Sequence, residues 1–336
     1  MKNHKLSVLL FAAIVTLLTP GCTQKADNTD PLPSWKQTEM KKSITDYVAV
    51  AVEKIPIEDR IAVFDLDGTL ACETPLWGEM YCAVANLNLQ SEKNPTLLND
   101  TAYKYAKALG INPADTSITN HWAGKNFNYV DSMVWKAFAG VDNEKYVEFC
   151  KNYLGTAKSI DYKMPLAKMF YQPMVELLNF LKANDFTVYV VSGSMQGMLW
   201  GLCPDQIGFD RAHLIGTWQQ MSPVYTSNSN TQFILQNSIY SPKDDKNGKS
   251  LNIYHQIGKT PVFAFGNTTG DFGMFHLTST STYPHAAYLL NHDDTTREYA
   301  YPPYHGTADL GWRDSLTNNG WNLVNMKENF ETVWMK

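Results

Sequence analysis

The stretch Ile61-Ala62-Val63-Phe64-Asp65-Leu66-Asp67-Gly68-Thr69-Leu70 decides how this chain is read. Its first four residues are apolar, and they include β-branched and aromatic side chains. A strand buried on both faces reads this way, and a parallel sheet is its usual home. The run then meets two acids at i and i+2. Core packing has no use for such a pair, whereas the carboxyl edge of an α/β sheet, where ligands bind, has one. Gly68 lets the chain turn sharply, and Thr69 offers a hydroxyl and a backbone N–H to an anion. The competing reading is an Asp-Gly turn in a hairpin.

Two further apolar runs end in polar turns. Thr187-Val188-Tyr189-Val190-Val191 follows a helix-like stretch from Pro173 to Lys182 and closes on Ser192-Gly193-Ser194. Pro261-Val262-Phe263-Ala264-Phe265 closes on Gly266-Asn267-Thr268-Thr269-Gly270-Asp271, before an apolar helical start at Met274-Phe275. Between them Lys249 opens the helix-like Ser250 to Ile257. Lys243, Lys246 and Lys259 lie in the same region, and Lys246 is the nearest competitor. Taken singly, Ser-Gly-Ser after a strand is a turn and a lysine is a solvated charge.

Taken together, the string hhhhDxDGTL resembles the first motif of the haloacid dehalogenase superfamily of phosphohydrolases, and the later runs resemble its other three motifs in order. The resemblance spans nearly all of residues 45 to 336. It favours the exported phosphoserine-phosphatase-like and phosphorylcholine-phosphatase-like members, whose carboxyl-terminal part resembles His292-Asp293-x-x-x-Arg297-Glu298-Tyr299 and Gly320-Trp321 to Met326-Lys327. What it implies is an α/β fold, a Rossmann-like three-layer sandwich around a central parallel sheet, with an inserted helical cap of the C1 type.

For chemistry, the resemblance implies magnesium-dependent hydrolysis of phosphomonoesters. Asp65 would attack phosphorus to give an aspartyl phosphate, and Asp67 would protonate the leaving alkoxide and later take a proton from water. Thr69, Ser192, Gly193 and Lys249 would hold the phosphate, with backbone N–H groups from Leu66 to Thr69 as a cradle. Magnesium would rest on Asp65, the backbone carbonyl of Asp67, and Asn267. The superfamily commonly has Asp at the place of Asn267, and an asparagine supplies the oxygen without the charge. Asp271 would stand behind the site and orient Lys249 or a metal-bound water, rather than ligate the metal itself. His292 and Asp293 read as a structural network with Arg297 rather than as a metal pair. These residue types suit the reaction, since unaided phosphate esters resist hydrolysis: the anionic phosphorus repels nucleophiles and the alkoxide leaves badly.

The chain divides into an export signal over 1–21, a flexible tether over 22–40, a core of 41–71 with 170–336, and the cap over 72–169. Helical periodicity within the cap covers Tyr103 to Leu109, Tyr129 to Phe138 and Tyr146 to Tyr153. Glu73, just past the paired acids, resembles by position the acid with which phosphoserine phosphatases meet a substrate ammonium. Trp77, Tyr81, Trp122, Tyr129 and Trp135 could box a cationic head group, although cap core is their commoner use. Leu214 to Trp218 and Thr231 to Leu235 read as a hairpin beside the core.

The signal rests on Lys2 and Lys5 ahead of the acid-free apolar run Leu6 to Leu18, which stops at Thr19-Pro20-Gly21-Cys22. Leu-Thr-Pro-Gly-Cys resembles a bacterial lipobox, which would place a lipid on Cys22 and the protein in the periplasm or cell envelope. With 28 Lys+Arg against 33 Asp+Glu the charge is −5, which leaves no basic surplus for a nucleic-acid backbone. The expected partner is a small phosphorylated substrate, with the lipid anchor as the one membrane contact and no protein partner. Cys72, Cys82, Cys150 and Cys203 show no CxxC or zinc spacing and are either free or disulfide-bonded. Two alternatives share the same residues: a phosphotransferase that passes the phosphoryl group to an alcohol, and a phosphate-ester-binding lipoprotein without turnover.

Overall fold

The computed structural model describes residues 30–74, 76–109, 127–159, 161–226, 230–300 and 312–335. The signal of 1–21, Cys22, the first part of the tether, Trp122 and the side chain of Tyr129 lie outside the described residues. No helix among the described residues is long and apolar enough to cross a membrane.

Strand β1, Ile61–Phe64, is buried at all four positions, as its composition requires. It pairs in parallel with β2, Thr187–Met195, on one side and with β6, Phe263–Gly266, on the other. With β3 (Leu214–Thr217), β7 (Ala286–Asn291) and β8 (Asn322–Asn325) it forms a six-stranded parallel sheet of order β3-β2-β1-β6-β7-β8. Alternate side chains on a strand face opposite ways, so one strand feeds two cores. Ala62 and Phe64 join the cluster beneath α1 (Glu39–Lys54) and α6 (Gln172–Ala183). Ile61 and Val63 join the cluster beneath α8 (Asn247–Ile257) and α9 (Phe272–Ser279). The result is the three-layer, Rossmann-like sandwich that the sequence predicts. The chain steps from β1 to β2 on one side and from β6 to β7 on the other, which makes the carboxyl ends of β1 and β6 the crevice where ligands bind in such sheets.

The described part of residues 72–169 carries helices α2 (Gly78–Lys93), α3 (Thr101–Leu109), α4 (Phe127–Phe138) and α5 (Asn143–Thr156). This inserted segment leaves and rejoins the core at one hinge. There Ala71 bridges Phe170, Cys72 N–H donates to the Met169 carbonyl at 2.9 Å, and Tyr171 N–H donates to the Leu70 carbonyl at 2.9 Å.

Two expectations need correction. Leu214 to Thr217 is strand β3 of the core sheet, not half of a hairpin. Leu214 faces one core and Ile215 the other, and burial on both faces is the property of a parallel strand. The hairpin is β4 (Gln219–Tyr225) with β5 (Thr231–Ile239), and it packs on the inserted helices: Gly140 N–H reaches the Leu235 carbonyl at 2.7 Å, and Gln219 Nε2 reaches the Trp135 carbonyl at 2.9 Å. The tether does not extend to residue 40. Leu32 and Trp35 are buried, Trp35 Nε1 donates to the Pro173 carbonyl at 2.8 Å, and Trp35 meets Phe330 edge-on with ring centroids 4.9 Å apart. Two apolar anchors in an otherwise polar stretch are enough to seat it. All four cysteines described are free and buried.

Candidate active site

The turn after β1 folds back on itself. The N–H groups of Leu70 and Ala71 both donate to the Leu66 carbonyl at 2.9 Å, and Gly68 N–H donates to the Ala71 carbonyl at 2.7 Å. Gly68 has φ +79°, a conformation that only glycine adopts without strain. The turn holds Asp65 and Asp67 at the carboxyl end of β1, and residues from β2, α8 and the β6 turn converge on them.

Lys249 reaches in from the first turn of α8. Its Nζ lies 2.5 Å from Asp65 Oδ1, 2.7 Å from Asp271 Oδ1 and 2.8 Å from the Val191 carbonyl. Asp271 uses its other oxygen to accept the N–H groups of Asn267 at 2.8 Å and Thr268 at 3.0 Å, which fixes the turn after β6. Gly266 is required there, because a Cβ would stand 2.4 Å from Asp271 Cγ. Thr69 Oγ1 lies 3.2 Å from both Asp65 Oδ2 and Asn267 Oδ1, so these two oxygens face the same space. Asp67 Oδ2 accepts the hydroxyls of Ser194 at 2.7 Å and Ser192 at 3.3 Å. Glu73 stands beside this group, accepting from Asn267 Nδ2 at 3.3 Å.

The electrostatics follow from burial and crowding. Burial pushes the Asp67 carboxyl up to about 6, against the lowering effect of the two serine hydroxyls. Burial also lifts Asp65 well above the carboxylate range; Asp271 and Asp67 add to that, and the Lys249 ammonium opposes it. For Lys249 burial works against the charge, yet Asp271, Asp65 and Asp244 outweigh it and hold its pKa above the ordinary lysine value. Three acids thus share one ammonium. The oxygens of Asp65 and Asn267 that converge near Thr69 are hard donors beside an excess of negative charge, and that set fits a divalent cation. Among the described residues no trio of His, Cys, Asp or Glu is placed to hold a metal, so a cation here would depend on the Asn267 amide and on backbone oxygen.

The sequence profile of the haloacid dehalogenase-like hydrolases matches residues 62–276, the span that carries every group just described. The chain belongs to the haloacid dehalogenase-like hydrolases. Among solved structures this hydrolase is similar to a protein of unknown function from Anaerococcus prevotii DSM 20548, with 14% identity and a TM-score of 0.50 over 78% of this chain and 87% of that one. It is similar also to a protein of unknown function from Bordetella pertussis Tohama I, at 13% identity and TM-score 0.47 over 79% and 98% of the two chains. A phosphoserine phosphohydrolase-like protein from Francisella tularensis subsp. tularensis SCHU S4 matches at 15% identity and TM-score 0.37 over 69% and 87%. At these identities the likeness is one of fold. No curated protein matches this chain.

The hydrolase brings Asp65, Asp67, Thr69, Ser192, Lys249, Asn267, Asp271 and Glu73 together. Lys249, not Lys246, is the lysine at the paired acids; Lys246 precedes α8 and gives its N–H to the Gly270 carbonyl at 2.9 Å. Gly193 lies between the two serines, its carbonyl accepting the Thr217 hydroxyl at 2.8 Å. Thr69 differs from expectation. Its N–H is engaged with the Leu66 carbonyl at 3.2 Å and its hydroxyl with Asp65 and Asn267, so it braces the turn instead of facing an anion. With Gly68 and Thr69 engaged, the backbone cradle narrows to the N–H groups of Leu66 and Asp67. Trp77 precedes α2 and packs half-buried on the core, and Tyr81 is fully buried, which removes it from any cage. His292 pairs with Glu298 and the Gly68 carbonyl, not with Arg297. Arg297 instead pairs with Asp294 and donates to the Phe330 carbonyl at 2.8 Å, while Asp293 accepts Lys327 N–H at 2.8 Å.

Sequence reasoning missed two acids and a serine. Glu79, on the first turn of α2, accepts the Met195 N–H at 2.7 Å and ties the inserted segment to the end of β2. Asp244 is buried near Lys249 and pushed up to about 7 by that burial. Nothing in Lys243-Asp244-Asp245-Lys246 distinguishes it from a solvated charge run. Ser194 holds Asp67, and its spacing from Ser192 was the available signal, since i and i+2 on a strand share a face.

Proposed function

We propose that this hydrolase cleaves phosphate monoesters through a phosphorylated Asp65. The observation that carries the proposal is the unequal treatment of two acids two residues apart. Asp65 is held by an ammonium and keeps an oxygen toward Asn267, whereas Asp67 faces no cation at contact distance among the described residues and is clasped by two serine hydroxyls. Such a pair divides into a nucleophile and a proton donor. A halide leaves without a proton, so the second acid favours an alkoxide leaving group over a halide.

In this reading an Asp65 oxygen attacks phosphorus and the bond to the ester oxygen breaks, with the Asp67 proton passing to the departing alkoxide. Water then attacks the aspartyl phosphate as Asp67 takes its proton, releasing phosphate and restoring Asp65. Lys249 spreads positive charge over the transferring group, and Ser192 orients Asp67 beside it. Magnesium held by Asp65, the Asp67 carbonyl and Asn267 would offset the repulsion between the carboxylate and a phosphate dianion. Glu73 raises the Asp67 pKa by its charge, and an acid in that place suits a small phosphorylated substrate whose other end is an amine or quaternary ammonium. The leading residues 1–22 support export and a lipid on Cys22, which mass spectrometry of the mature amino terminus tests directly.

The deciding assay compares wild type and Asp65→Asn on p-nitrophenyl phosphate and a panel of phosphate esters, with magnesium and with EDTA. Wild type is expected to turn over with magnesium only, and the variant to lose ~10³-fold or more. Equal rates for the two proteins would remove Asp65 from its role.

A further inference from the structure

His292 lies one residue beyond β7 and is 1% exposed. Its ring is bonded at both ends: Nε2 to the Gly68 carbonyl at 2.7 Å and Nδ1 to Glu298 Oε2 at 2.7 Å. A carbonyl and a carboxylate only accept, so both nitrogens donate and the ring is an imidazolium. Glu298 accepts two more donors, the Tyr171 hydroxyl and the Tyr299 N–H at 3.3 Å. Tyr171 is the residue whose own N–H closes the hinge on Leu70. One buried line of bonds therefore runs from the turn that follows the paired acids, through His292 and Glu298, to the point where the inserted segment rejoins the core.

Stability alone accounts poorly for such a line. A buried ion pair is seldom better than an apolar pair of the same shape, because both charges must be dehydrated. Burial opposes the His292 charge here, but Glu298, the Gly68 carbonyl and the more distant Glu73 outweigh it and raise the ring above the ordinary histidine value. The atom that receives this charge is the carbonyl of a glycine, which has no side chain of its own to fix it. That carbonyl belongs to the Gly68–Thr69 peptide, whose N–H donates to the Leu66 carbonyl at 3.2 Å; its rotation would displace Thr69, the brace of Asp65 and Asn267, directly, and Asp67 through the Gly68 Cα.

We propose that His292 is a positioning residue, which by holding the Gly68 carbonyl fixes the turn that carries Asp65 and Asp67 and anchors it through Glu298 to Tyr171 at the hinge. The inference rests on Asp65 and Asp67 being the reacting pair. Two variants separate the ends of the ring. The amide nitrogen of His292→Gln reaches where Nε2 stands and keeps a donor for Gly68, while that of His292→Asn reaches only as far as Nδ1.

Turnover of p-nitrophenyl phosphate with magnesium is measured per folded molecule, with folding read by near-ultraviolet circular dichroism and Asp65→Asn as control. His292→Asn is expected to lower kcat about 10²-fold with KM within about threefold, the scale of a 1 Å misplacement of reacting groups, and His292→Gln to stay within about fivefold of wild type. Wild-type kcat in the Asn variant, or an equal fall in both, overturns the inference and leaves His292 a packing residue. Wild-type turnover by Asp65→Asn overturns it at its foundation, by removing the reacting pair. Should the Asn variant fail to fold, Glu298→Ala, which releases the other end of the ring, is expected to lower kcat about tenfold at unchanged KM, and an unchanged kcat there is equally fatal.

Discussion

Asp67 shows how a single oxygen can be tuned. Burial raises its pKa, the Ser194 and Ser192 hydroxyls lower it, and the balance falls at about 6. An acid that donates to a leaving group must be protonated, so kcat/KM is expected to fall as pH rises through that value. Ser194→Ala removes a bond that favours the charged form. The Asp67 pKa then rises, and the alkaline limb of the pH–rate profile should move up by about half a unit or more. A limb that stays in place, or moves down, contradicts the assignment. The same residue marks a limit of reading from sequence. Ser192 was legible because a motif names it, whereas Ser194 is recognisable only once β2 is known to run to Met195, which puts both hydroxyls on one face of the strand. Asp244 and the Glu298 partner of His292 were illegible for another reason: their roles depend on contacts across sequence distances that no local pattern encodes.

At the scale of elements, α5 lies against α7, Gln196–Ile207, the helix that follows directly from the strand bearing the two serines. The helices approach closely because α7 presents glycine one turn apart. A Cβ at Gly197 would meet the Tyr146 ring at 2.5 Å, and one at Gly201 would meet the Val147 carbonyl at 2.7 Å. Gly201→Ala must move backbone, so a loss of about 1–3 kcal/mol is expected in chemical denaturation. Gly155→Ala, on α5 but with nothing within 4 Å of its Cβ, should be neutral or slightly stabilising through helix propensity. Equal effects would show that this contact is not tight. Helices α3, α4 and α5 were legible from their 3.6-residue periodicity, since each lays one apolar stripe on a neighbour. The place of Leu214 to Thr217 was not, because a short apolar run reads alike in a sheet edge and in a hairpin until its partner is known.

For the whole molecule, the two ends of the described chain close on each other. Trp35 bridges Phe330, Trp334 bridges Tyr171 at the hinge, and Arg297 donates to the carbonyls of Phe330 and Glu331. Removal of residues 330–336 would uncover Trp35 and delete the buried Phe330 and Val333. Loss of a buried phenylalanine by itself costs about 3–5 kcal/mol. Thermal denaturation should show the truncated protein melting many degrees lower, and a melting temperature equal to that of the full chain would argue against the closure. The strand order carries a consequence for synthesis. β1, made early, finds its neighbours only at residues 187 and 263, and the hinge gains its Trp334 bridge later still. Contacts that distant form late. A ribosome must therefore carry synthesis past residue 271 before the groups around the paired acids can assemble, and a product stopped short of that would be material for proteases rather than a partly working enzyme.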